Sequence, residues 1–170
     1  DKVLAEQPKK AKKKAEQKPY EPQALTNFIG EYKEINSDMT MRIFIENDTL
    51  KSEGSIGRTA AALTQFAPHQ FYRENSQNVK YDFSPAPNHE MVISFGGTPF
   101  YFKRAKFVDL KDVVLSDYKG DFYSEELDVT YRVTIVNNTL QLTFKNSKPK
   151  PLNPIQQDEF GNGQRTLYHF

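Results

Sequence analysis

Two Ser-x-x-Lys strings, Ser116–Lys119 and Ser147–Lys150, hold the residue types from which a serine nucleophile and its lysine base are built. That chemistry needs a helix presenting both side chains on one face. Pro149 lies inside the second string and Pro151 follows it, so no such helix opens there. Neither string is accompanied by Ser-Asp-Asn or Lys-Thr-Gly, and the chain has no G-x-S-x-G, H-E-x-x-H or G-x-G-x-x-G. Both strings read as chance. Glu125, Glu126 and Asp128 gather carboxylates of the kind used in general acid–base catalysis, but their setting reads as a loop. His69, His89 and His169 have no His, Asp or Glu at a metal-ligand spacing that recurs elsewhere in the chain, and read as surface or turn residues. Without Cys there is neither disulfide nor thiolate metal site. No catalytic residue, metal or cofactor is expected in this segment.

The elements that carry these residues are strands. Aromatic residues make up 13% of the chain, all Phe and Tyr, a composition that favours strands over helices. Alternating runs recur at 40–45 (TMRIFI), 80–83, 91–95, 99–102, 130–136 and 140–144. Turn signals separate them at Asn47-Asp48, 85–88, Gly96-Gly97, Asn137-Asn138 and 161–163.

Residues 25–50, LTNFIGEYKEINSDMTMRIFIENDTL, align without a gap on residues 115–140, LSDYKGDFYSEELDVTYRVTIVNNTL. Gly30, Asp38, Arg42 and Asn47 match Gly120, Asp128, Arg132 and Asn137. The Ser116–Lys119 string is not kept, since its counterparts are Thr26 and Ile29. The match continues from Leu63…Phe71 onto Leu152…Phe160, and from 79–83 onto 166–170. The first copy then runs on through MVISFGG and TPFYFKRAKFV, so the second copy is expected to lack its last hairpin.

The first copy yields about eight strands, expected at 28–34, 39–46, 49–53, 60–66, 69–74, 79–84, 90–95 and 99–105. Short links make an antiparallel meander, and eight such strands can close into a barrel. Met39, Met41, Phe44, Phe66, Phe71 and Phe83 are candidates to fill its interior. The second copy, with about six strands, leaves an edge open.

The matched positions have structural readings. Gly30 and Gly120, each between aromatics, permit a bulge or a sharp bend. Asn47-Asp48-Thr49 and Asn137-Asn138-Thr139 satisfy the glycosylation sequon but fall at a tight turn, where Asn and Asp tolerate positive φ; the turn reading is preferred. Arg42 and Arg132 share one strand position, pointing inward to a carboxylate or lying on the outer face; their shared retention suggests pairing with Asp38 and Asp128.

Residues 1–23 carry seven Lys, four acids and three Pro, and read as the tail of a preceding domain and a Lys-rich linker. A nucleic-acid or anionic-lipid role for Lys9, Lys10, Lys12, Lys13 and Lys14 is disfavoured, since no aromatics interleave them and the neighbouring domain is not basic. No run approaches the ~20 apolar residues that span a bilayer, so no membrane insertion is expected. The chain starts without an initiator Met or an apolar leader, and reads as part of a longer product. Its expected organisation is linker 1–23, barrel 24–108 and truncated barrel 113–170.

The string LSDYKGDFYSEELDVTYRVTIVNNTLQL, followed by LNPIQQDEF, resembles the lipocalin-like domain found after the catalytic domain of bacterial and archaeal serine hydrolases. These belong to the β-lactamase/penicillin-binding-protein class, CubicO-like esterases and D-aminopeptidases among them. The resemblance is good over 115–160 and weaker over 25–105. It implies tandem lipocalin-like meander barrels, the second incomplete, in a periplasmic or extracellular protein. It also implies a partner catalytic serine-hydrolase domain in the same chain, with its Ser/Lys/Tyr site before residue 1. The segment itself would be an accessory region that shapes active-site access or supports homo-oligomerisation. Two other readings compete: a free-standing small-ligand carrier, and a surface adhesion or oligomerisation module.

Overall fold

The computed structural model describes residues 24–55 and 59–170. The expected domain tail, linker and lysine cluster of residues 1–23 lie outside the described residues. The first unit opens with a 3-10 turn, Leu25–Phe28, and continues through eight strands. They are β1 (Gly30–Glu34), β2 (Thr40–Glu46), β3 (Thr49–Gly54), β4 (Ala61–Ala67), β5 (Gln70–Arg73), β6 (Ser76–Asp82), β7 (Met91–Phe95) and β8 (Thr98–Ala105). Each pairs antiparallel with the next, and β8 returns to β1 with Glu31 opposite Ala105 and Lys33 opposite Lys103. The barrel is therefore closed, each of its strands having a neighbour on both sides.

Alternation decides what lies inside. In β2, Met41, Ile43 and Ile45 face the core and Arg42 faces out. Leu50, Phe71, Met91, Ile93 and Phe102 are almost wholly buried around them. The interior hydroxyls of Ser52 and Tyr81 sit 3.0 Å apart and satisfy each other. Met41, Phe71 and Phe83 fill the interior and Met39 packs against it. Phe44 and Phe66 do not. Phe44 lies between inward Ile43 and Ile45, and Phe66 stacks on Tyr72 with centroids 3.9 Å apart.

The strand expected over 28–34 starts only at Gly30, because Leu25–Phe28 coils across one end of the barrel. Tyr32 Oη donates to the Phe28 carbonyl at 2.9 Å. Arg104, at the end of β8, donates to the carbonyls of Ile29 at 2.6 Å and Asn27 at 2.9 Å, with its guanidinium 5.0 Å from the Tyr32 ring centre. Gly30 makes room for this latch: a Cβ there would come within 2.5 Å of Arg104 Nη1. Neither Gly30 nor Gly120 forms a bulge. Each begins its strand in unbroken register, opposite Ile43 and Val133.

The second unit repeats the pattern as β9 (Gly120–Ser124), β10 (Val129–Val136), β11 (Thr139–Phe144), β12 (Lys150–Gln156), β13 (Glu159–Gly161) and β14 (Leu167–His169). These form one curled sheet, a half-barrel bounded by β9 and β14. Val133, Leu140, Leu142, Leu152 and Phe160 make its core.

The repeat extends to backbone detail. The register shift between Gln65 and Ala67 recurs between Pro154 and Gln156. Phe71 faces Tyr81 as Phe160 faces Tyr168. Asn47 and Asp48 have φ of 50° and 56°, Asn137 and Asn138 49° and 57°, so both sequon-like strings form the same tight hairpin turn.

Candidate functional site

The two units meet along a seam built from the β1–β2 loop, the outer face of β1, the connecting segment after β8, and the β13–β14 hairpin. The connector is tied to both sides. Phe107 N donates to Glu31 Oε2 at 2.8 Å, and Val108 N donates to the Ile155 carbonyl at 3.0 Å. Asp38, almost fully buried, accepts from Gly163 N at 2.7 Å. Gly161 packs so tightly on Asp38 that a Cβ there would overlap its Cβ. Lys33 lies 3.3 Å from Glu159 Oε2, an ion pair short of hydrogen-bond alignment, and His169 Nδ1 lies 3.5 Å from Glu159 Oε1. Arg165 sets its guanidinium 5.3 Å from the Phe100 ring centre.

Beside these contacts runs a cleft of about 430 Å³. Phe107, Val108, Pro154 and Ile155 give it an apolar wall, and Asp38, Thr40, Arg42 and Glu53 a polar one. A smaller recess of about 120 Å³ leads from Asp38 and Thr40 to Met39, Met41, Phe95 and Phe102 at the mouth of the first barrel. Several polar groups here are already engaged: Asp38 by Gly163, Arg42 by Glu31, and Ser55 Oγ by the Thr40 amide at 3.3 Å. The cleft thus sets an apolar wall against polar groups that the protein has largely paired within itself.

The structure changes the partners of the matched residues. Arg42 pairs with Glu31 at 3.1 Å and Arg132 with Asp121 at 2.8 and 2.9 Å, not with Asp38 and Asp128 as their retention suggested. The reason is register: Arg42 lies directly across from Glu31, and Arg132 from Asp121. Asp38 is turned into the seam, whereas Asp128 takes a φ of 48° and accepts from Tyr123 Oη at 2.8 Å. The Arg132 hydrogen bond holds Asp121 below the usual carboxylate range and raises Arg132 in turn. The bond from Tyr118 Oη to Asp158 at 2.7 Å raises the Tyr118 hydroxyl, and burial does the same for Tyr32 and Tyr168.

The other candidates fall apart from one another. Ser147 Oγ accepts from Phe144 N at 3.0 Å, and Lys150 lies over the Phe144 ring. Ser116 lies in the 3-10 turn Leu115–Tyr118, with Lys119 as its cap. Glu125 and Glu126 are exposed in the β9–β10 loop. His69 occupies the β4–β5 turn with φ of 60°, and His89 packs on Tyr101. Among the described residues no group of three or more His, Asp or Glu side chains is placed to hold a metal ion. Among them, too, no helix is long and apolar enough to cross a membrane.

Sequence reasoning missed the seam residues Lys33, Glu159, Gly161 and Gly163, and the latch Arg104. A signal existed for two: Gly161 and Gly163 stand where the first copy has Tyr72 and Glu74, a break in the repeat at an otherwise well-matched hairpin. Compared with known proteins, the chain matches no family model and no curated protein.

Proposed function

We infer that this chain is the non-catalytic accessory region of a secreted serine hydrolase, a rigid pair of lipocalin-like units that shapes access to an active site carried elsewhere in the same protein or supports its oligomerisation. The observation that carries this reading is the seam. A bonded connector, the part-buried Asp38–Gly163 contact and the Lys33–Glu159 pair tie the two units together. A tied pair with a filled barrel is suited to positioning a neighbour. The hydrolase assignment rests on the resemblance over 115–160.

The test uses the full-length gene product. It should acylate with a fluorescent penicillin or hydrolyse a nitrophenyl ester. Deleting residues 24–170 should alter the relative kcat/KM for bulky and small substrates. A product with neither activity, or one whose selectivity ignores the deletion, would remove the accessory reading.

The inter-unit cleft favours a second reading, a small-ligand carrier. Its apolar wall of Phe107, Val108, Pro154 and Ile155 suits the apolar face of a small ligand. A naphthalene sulfonate dye should then bind stoichiometrically and be lost in Ile155→Glu; no saturable binding removes this alternative.

A further inference from the structure

We propose that the open face of the half-barrel is a docking site for a two-stranded β-hairpin patterned like Met91–Ala105. The first unit serves as an internal template. There β1 pairs with both β2 and β8, and β6 with both β5 and β7. Their counterparts β9 and β14 bound the second sheet, each with one neighbour among the described residues. The missing layer in the second unit is the place that the β7–β8 hairpin occupies in the first.

Side chains record the same vacancy of packing. Tyr32 is 1% exposed and its counterpart Phe122 42%; Phe83 is 6% exposed and Phe170 38%. In the first unit Met91, Ile93 and Phe102 complete the core around the aromatic group. In the second, Tyr118, Phe122 and Phe160 gather on Phe170 with centroids 5.3–5.4 Å from it, leaving an aromatic trough between two strand edges. Unpaired amides and carbonyls on both sides of an apolar trough are the recognition elements of strand addition.

A hairpin joined directly after Phe170 would start in the right direction. Phe83 N donates to the His69 carbonyl at 2.9 Å, and Phe170 N donates to the Asp158 carbonyl at 3.0 Å. His69 and Asp158 share a φ near 60°. The backbone therefore exits β14 as it exits β6, where it goes on to enter β7. A tethered hairpin meets the trough at high effective concentration. The template also sets the register. Asp121 and Tyr123 would face the positions of Ala105 and Lys103; His169 and Leu167 would face those of Val92 and Ser94.

The experiment appends a second copy of residues 84–108 directly after Phe170 and follows hydrogen exchange with peptide resolution. The expected result is at least about a tenfold rise in protection of β9 and β14 amides, with the appended segment itself resistant to protease. A control carrying Ile93→Asp and Phe102→Asp in the appended copy only should lose both effects while the first barrel stays protected. An appended segment that exchanges freely would overturn the proposal. So would a 170-residue chain that sediments as a dimer with β9 and β14 already protected, since the edges would then pair with a second copy.

Discussion

Adding one methyl group at Gly161 should separate the two units without touching either core. A Cβ there falls on Asp38 Cβ, with Asp38 Oδ2 at 2.7 Å and Cγ at 3.0 Å. The nearest atom belongs to a side-chain root rather than a flexible tip, so it cannot swing away. Relief requires the β13–β14 hairpin to back off, which lengthens the bond from Gly163 to Asp38. Overpacking of this kind costs about 1–3 kcal/mol. With a urea dependence of about 2 kcal/mol per molar, Gly161→Ala should lower the unfolding midpoint by about 0.5–1.5 M. Hydrogen exchange should place the loss at β13, β14 and the β1–β2 loop. Gly120→Ala is the control: its Cβ would meet only Phe122 ring atoms, at 3.6 and 3.7 Å, and should change stability by less than about 0.5 kcal/mol. Asp38→Ala should not rescue Gly161→Ala, because Ala keeps the offending Cβ. Asp38→Gly should, with a coupling of about 1 kcal/mol or more in the double-mutant cycle. Equal effects at 161 and 120, or strict additivity with Asp38→Gly, would refute the reasoning.

Arg104→Ala should loosen the closed end of the first barrel, costing about 1–2 kcal/mol through two lost carbonyl contacts and its stacking on Tyr32, with fraying of Leu25–Phe28 seen by exchange. Leu152→Ala, at a fully buried position, should cost about 2–5 kcal/mol in thermal or urea unfolding, whereas Val136→Ala on the exposed face should be close to neutral. Arg42→Ala and Glu31→Ala should couple weakly, by less than about 1 kcal/mol, and the coupling should fade in salt; Arg42→Ala and Asp38→Ala should be additive. Tyr118 is raised by its bond to Asp158 and Tyr32 by burial, so the unfolded chain loses these protons first. The stabilisation is complete below the ordinary tyrosine value of about 10 and is lost as pH rises through the folded-state value. Ultraviolet titration alongside unfolding midpoints should show this alkaline loss, smaller in Tyr118→Phe. Asp121 has the opposite sign: its contribution is present above the ordinary carboxylate range and is lost as pH falls, an acid-side change that Asp121→Asn should remove.

The strands were legible because alternation and turn chemistry are local. Met41 and Ile43 in β2, and Asn47-Asp48 after it, report their own conformation without knowledge of any partner. The repeat turned eight local readings into a topology, since a second copy with the same spacing leaves little choice of connection. The ion pairs were misread because the repeat shows which residues are kept together but not which lie across from each other. Glu31 and Asp121 were equally retained in kind, and the cross-strand register selects them. The seam was hidden for a different reason. Asp38 and Gly163 are 125 residues apart, and a contact made once, between unlike parts of two copies, has no periodic signature.

The seam also gives the tandem a direction. It joins the β1–β2 loop of one copy to the β13–β14 hairpin of the next, a heterologous contact of the sort that can extend into a filament when each unit offers the same two faces. A third unit docked by that rule would need Asp128 to receive it. Asp128 is instead turned to a φ of 48° and held by Tyr123. Head and tail have therefore diverged. Exchanging the order of the two copies would set Asp128 against Tyr72 in place of Gly161, and the joint would not close.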